Sequence, residues 1–201
     1  GNVGAQTRHS LDILNSLSDA LRDSRVVPWF MPITDMADGK VVGYEALARW
    51  VDETGAVHAP DEFLPVAEKA PIILDIDRAV LSKGLDALVR LPSTVTMAVN
   101  VSAVTLVNGN LVERVRAEID RCGVDPGRLH LEVTETALFH VTEDVKATMS
   151  VIAGMGVEWW VDDFGTGYSS ISHLRDLPIT GMKLDRSFTA GLGSGDVVSE
   201  R

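Results

Sequence analysis

Five segments of this chain read as strands, and each divides its residues between two faces in the same way. In "VVGYEALARW", Val42, Tyr44 and Ala46 fall on one face while Gly43, Glu45 and Leu47 fall on the other. In "TMAVNVS", Met97, Val99 and Val101 oppose Ala98 and Asn100. In "RLHLEVTE", Leu129, Leu131 and Val133 oppose His130 and Glu132. In "VEWWVDD", Val157, Trp159 and Val161 oppose Trp160 and Asp162, and in "GMKLDRS", Met182 and Leu184 oppose Lys183 and Asp185. Side chains alternate across a strand, so one face is apolar and the other carries a polar group near its C-terminal end. Few architectures use such strands. A barrel does: helices cover the apolar outside, and groups at the C-terminal ends converge on one mouth.

The segments between the strands supply the helices. "PDEFLPVAEKA", "ILDIDRAVLSKGLDALVRL", "NLVERVRAEIDRCG" and "TEDVKATMSVIAGMG" carry apolar residues at helical spacing. Leu74, Leu81, Leu85 and Leu88 share one face of the second. Gly123 is the expected left-handed stop of the third, and Thr142 and Gly156 bracket the fourth. Strands alternating with helices imply β/α units and a parallel sheet. The start differs. "VVPWFMPI", a turn at Asp38-Gly39 and the Glu45 strand predict a hairpin-like pair. Ahead of it, residues 1–7 are expected to be a flexible end, and His9 to Asp23 an amphipathic helix. "SSISHLRDLP" reads as a short helix, and a further helix begins in "SGDVVSER". The expected division is an N-terminal tail and helix over residues 1–24, then one domain over 25–201.

Composition excludes some functions. A net charge of −11 argues against a polymeric nucleic acid, which needs a basic surface. No run of about 18 apolar residues is present, so no membrane contact is expected of this domain. The lone Cys122 forms no internal disulfide, in keeping with a cytoplasmic location, although a parent protein with a membrane anchor is compatible with all of this.

The carboxylates of Glu45, Glu132, Asp162 and Asp163, converging with the Asn100 amide at a shared mouth, would repel one another without positive charge among them. All are hard oxygen donors, a set suited to Mg²⁺ or Mn²⁺ rather than zinc. The adjacent Asp162 and Asp163 suit two ions about 3.5–4 Å apart, the spacing of two-metal phosphoryl-transfer sites.

In order and spacing, "YEALAR", "AVNVS", "LEVTET", "DDFGTGYSS" and "MKLDRS" closely resemble the EAL domain of bacterial cyclic-di-GMP phosphodiesterases. The resemblance runs from about Pro28 to Leu192. It implies an α/β fold, a modified TIM (β/α)8 barrel whose first two strands are antiparallel. It implies hydrolysis of cyclic-di-GMP to linear pGpG with Mg²⁺ or Mn²⁺, as two ions. Glu45, Asn100, Glu132 and Asp162 match metal ligands, and Asp163 the residue that helps hold the second ion. Lys183 matches the lysine that orients the attacking water, and Asp185 belongs to the same motif on the substrate side. Arg49 matches a phosphate-contacting arginine, and Leu47 lies beside the bound dinucleotide. Glu135 matches a glutamate shaping a loop tied to metal binding and dimerisation. A homodimer and a sensory or GGDEF-type domain in the parent protein are the partners this implies.

Two departures stand out. Met31 occupies a position where the family usually has glutamine near the ligand. The family's later "AEGVE"-like and "QGY"-like motifs are not found up to Arg201, so the last two β/α units are expected to be missing from this chain. A non-catalytic cyclic-di-GMP receptor or regulatory module on the same fold is the competing reading, with a different metal-using barrel enzyme behind it. The retained ligands up to Lys183 favour the enzyme.

Overall fold

A computed structural model of the chain describes residues 2–108, 110–165 and 174–189. Helix α1 (Asn2–Arg22) leads into β1 (Val26–Thr34) and β2 (Val41–Val51), followed by β3 (Val57–His58). Then come α2 (Pro60–Ala67), α3 (Ile73–Leu88), β4 (Thr96–Asn100), α4 (Ala103–Asn108) and α5 (Leu111–Cys122). β5 (Leu129–Thr134), α6 (Glu143–Gly154), β6 (Glu158–Phe164) and β7 (Ile179–Leu184) complete the main path, and a turn of helix, Arg186–Thr189, follows. Short 3-10 segments flank β5 at Pro126–Arg128 and Glu135–His140.

The strands form one sheet in the order β1-β2-β4-β5-β6-β7, with β3 paired to β2. β1 and β2 are antiparallel and the rest of the path is parallel, as the alternation of elements predicts. This is the α/β arrangement of a TIM-like barrel, with β1 and β7 as the ends of the path among the described residues.

The outward residues build the main core. Met97, Val99, Leu129, Leu131, Val133, Trp159 and Val161 are almost wholly buried against Leu81, Leu85 and Leu88 of α3, Val115 of α5 and Met149 and Ile152 of α6. At roughly 1.5–3 kcal/mol for each large side chain removed from water, this layer is the main source of cohesion. The Trp159 indole also donates to the Met149 carbonyl at 3.0 Å, tying β6 to α6. A second core joins Ile13, Leu17 and Ala20 of α1 to Val26, Trp50, Phe63, Ile73 and Ile76.

The terminal signals behave as expected. Gly123 has φ +65, Gly156 has φ +100, and the Thr142 hydroxyl accepts from Val145 N at 3.4 Å. Three expectations need correcting. The helix at the start begins at Asn2, not His9, and takes in the stretch expected to be a flexible end. Residues 2–8 hold no proline, and the helix whose buried face begins at Ile13 propagates back through them despite the cost of Gly4. Leu74 is only half-buried, and the core face of α3 is instead set by Ile73, Ile76, Val80, Leu81, Leu85 and Leu88. On β7, Met182 and Leu184 are half-exposed rather than packed under a helix. The first half of the helix expected in "SSISHLRDLP", and the whole of the one expected in "SGDVVSER", lie outside the described residues.

Candidate active site

β2, β4, β5, β6 and β7 each deliver one inward polar group. Register sets their depth: Glu45 stands opposite Ala98, Asn100 opposite Glu132, and Asp162 opposite Thr134. The Lys183 ammonium donates to Glu45 Oε2 at 2.8 Å and to Glu132 Oε2 at 2.5 Å. Asn100 Nδ2 donates to Glu45 Oε1 at 2.9 Å, which leaves the amide oxygen as its ligating end. One carboxylate oxygen from each of Glu45, Glu132 and Asp162 lies within 4.8 Å of the others.

Burial dominates the electrostatics here. It pushes the Glu132 carboxyl up to about 7, against the pull of Lys183. It also raises Asp162, again opposed by Lys183. For Lys183 burial works against the charge, but Glu132 and Glu45 together outweigh it and hold its pKa above the ordinary lysine value. The set holds three carboxylates against one ammonium. Fully ionised, it carries −3 + 1 = −2, the charge that one divalent cation would offset. Oxygen donors grouped in this way suit a hard divalent cation.

Behind the acids, toward the N-terminal ends of the strands, the inward face turns aromatic. His130 and Trp160 stack with ring centroids 5.1 Å apart. Gly181 makes room for them, since a Cβ there would come within 2.5 Å of the Trp160 indole. That contact explains why a glycine stands two residues before Lys183.

The remaining expected residues fall around the cluster. Glu135 is buried, and its Oε2 accepts from Gly165 N at 2.7 Å, tying the segment after β5 to the end of β6. Asp163 is exposed, with a left-handed backbone at φ +51, and it is not one of the three clustered acids. Asp185 accepts from Ser187 N at 2.9 Å at the start of the helical turn. Leu47 is half-buried opposite Trp29, and Met31 stands opposite Glu45 on β1. Arg49 lies over the Trp29 ring at 5.3 Å and donates to the Ala48 carbonyl at 2.8 Å.

Two neighbours escaped the sequence reading. Trp29 shares the inward face with Leu47 and Arg49, yet its strand lacks a polar marker. Asp77 on α3 accepts from Ser102 N at 3.0 Å and from Ser102 Oγ at 2.7 Å, bracing the turn that follows Asn100. Burial raises its pKa. Its signal was an aspartate flanked by Ile76 and Val80 on a helix that is otherwise apolar on that side.

A family model described as the EAL domain matches residues 14–197. The cyclic di-GMP phosphodiesterase NbdA of Pseudomonas aeruginosa is 37% identical over 182 residues, covering 89% of this chain and 23% of that protein. The probable cyclic di-GMP phosphodiesterase PdeB of Escherichia coli is 34% identical over 183 residues, covering 88% of this chain and 34% of that protein. The chain thus spans about a third or less of the length of these relatives. A solved structure of the PaMucR phosphodiesterase in complex with c-di-GMP superposes with a TM-score of 0.85 at 32% identity, covering 94% of this chain and 77% of that one.

Proposed function

The chain belongs to the EAL domain family, and from that membership and the acid cluster we propose that it hydrolyses one phosphodiester of cyclic-di-GMP, giving linear pGpG, with Mg²⁺ or Mn²⁺. The observation that carries the proposal is the convergence of Glu45, Glu132 and Asp162 on one buried point with Lys183. Two named phosphodiesterases among the relatives support the substrate class.

Glu45, Asn100, Glu132 and Asp162 would hold the cation, with Asp163 completing the shell of a second. Divalent ions supply an activated water and offset charge building on the phosphate. Lys183, whose ammonium lies between Glu45 and Glu132, would aim the attacking water by donating to it. Arg49, with its fixed fork of N–H groups, grips a phosphate oxygen, Leu47 packs beside the dinucleotide, and Asp185 borders the same mouth. Glu135 holds the β6 end in place through Gly165. His130 and Trp160 form a stacked aromatic floor beneath the acids.

Among the described residues no helix is long and apolar enough to cross a membrane. We place the domain in the cytoplasm, working as a homodimer with a sensory or GGDEF-type partner domain. Incubation with cyclic-di-GMP and Mn²⁺, followed by chromatography of the products, tests the function. Formation of pGpG that Glu45→Ala abolishes is expected. Tight binding in Ca²⁺ with no turnover in Mg²⁺ or Mn²⁺ would show a receptor instead.

A further inference from the structure

Trp29 is half-exposed, an unusual setting for a large aromatic side chain beside a buried polar cluster. Antiparallel pairing sets Trp29 opposite Leu47, Val27 opposite Arg49 and Met31 opposite Glu45, so all of these share the inward face. β1 runs against β2, which brings Trp29 to the same end of the sheet as Arg49. The guanidinium carbon stands 5.3 Å from the indole centroid, and Nη1 donates to the Ala48 carbonyl at 2.8 Å. One face of the guanidinium is thus covered by a ring, and one of its five N–H groups is spent on the strand's own backbone. The other donors remain for a ligand.

We propose that Trp29 is a positioning residue for substrate recognition: its indole holds Arg49 in the conformation that grips a phosphate at the mouth of the site. A free arginine surrenders several rotatable bonds when it binds, and fixing them beforehand lowers that cost. The attraction of the cation to the ring face supplies the hold. The inference rests on the reading of cyclic-di-GMP as the ligand and of Arg49 as its phosphate contact.

The test titrates cyclic-di-GMP into the full chain in Ca²⁺ by calorimetry and measures KM and kcat in Mn²⁺. Trp29→Leu is expected to weaken binding roughly three- to tenfold, in keeping with a part-exposed cation–π contact. KM should rise by the same factor with kcat within about twofold, since Trp29 touches no reacting atom. Trp29→Phe, which keeps a ring face, should recover most of the loss. In an Arg49→Gln background Trp29→Leu should add nothing, because the group it positions is gone. An unchanged Tm in Trp29→Leu shows that the effect is not unfolding. Undiminished affinity in Trp29→Leu, or an equal loss in the Arg49→Gln background, overturns the inference while the functional reading stands. Failure of the wild-type chain to bind cyclic-di-GMP overturns both.

Discussion

β2 carries one ionic cluster in its middle and leads into another just past its end, and the two are drawn to the same plan. In the first, Lys183 lies between Glu45 and Glu132, at 2.8 and 2.5 Å. In the second, His58 lies between Asp52 and Glu62, at 3.1 and 3.0 Å. What separates them is water. The Glu132 side chain is 1% exposed, whereas Asp52 and Glu62 are 26% and 55% exposed. In the buried cluster, burial drives Glu132 up to about 7. In the open cluster the same contacts pull both carboxyls down: Asp52 through Thr54 and then His58, Glu62 through the Ala59 amide and then His58. One site is therefore held at an electrostatic loss that folding alone does not explain, and the other is a local staple. A charge cluster under strain from burial points to function; one satisfied at the surface does not.

The largest effect should come from removing a carboxylate of the buried cluster. Glu45→Ala is expected to abolish pGpG formation while the far-ultraviolet CD stays that of a folded chain. Near-wild-type turnover in that variant would mean that the buried cluster is as dispensable to chemistry as the exposed one. Next comes Lys183→Ala, with turnover down about 10²–10⁴-fold and a smaller change in ligand affinity. A change confined to the dissociation constant would recast Lys183 as a binding residue.

Chelation probes the net −2 directly. EDTA should halt turnover yet leave the chain folded, because Lys183 still bridges Glu45 and Glu132. Mg²⁺ or Mn²⁺ at a hundred times its Kd should then stabilise the fold by about 2.7 kcal/mol, read as a higher Tm in calorimetry. A Tm indifferent to both metals would remove the divalent cation from this site. Neither metal is expected to move the His58 cluster.

The two clusters also differ in how far the sequence disclosed them. Alternation along five strands was enough to place Glu45, Asn100, Glu132, Asp162 and Lys183 on one face, because a residue's face in a strand is a local property. The antiparallel start showed in the same way, through the turn at Asp38-Gly39. Side chains whose direction depends on a distant partner were not legible. Arg49 turns to Trp29 across the β1–β2 pair, and Asp163 points where its left-handed backbone sends it. Asp77 reaches Ser102 from another element. The His58 cluster went unread because nothing periodic marks it. Asp52 curls a tight turn by accepting from Thr54 N at 2.8 Å and Ala56 N at 3.0 Å, and only that turn returns the chain to bring His58 back to it.

The smallest predicted effect belongs to this open cluster, and its sign follows from the direction of the shift. Glu62 and then Asp52 raise the His58 pKa above its ordinary value of 6.5. A histidine raised in the folded state contributes stability that is fully present below about 6.5 and fades as the pH climbs through the raised value. Asp52 and Glu62, both lowered, contribute fully above their ordinary values of 3.8 and 4.5, so the staple holds from there up to the raised value of His58. His130 would blur a simple melt, since burial lowers its pKa and gives it the opposite sign. The difference between wild type and His58→Gln cancels that contribution. The variant also gives up some of the ring stacking on Trp50, whose centroid lies 4.3 Å from that of His58, and only the part of that stacking that needs no charge on the imidazole is independent of pH. The Tm gap should therefore exceed its alkaline value by roughly 1–3 °C at pH 5.5 and settle to a constant by pH 9, as befits an exposed ion pair. A gap equal at both pH values would assign the whole contribution of His58 to stacking, and the two clusters would then share a geometry but not a charge.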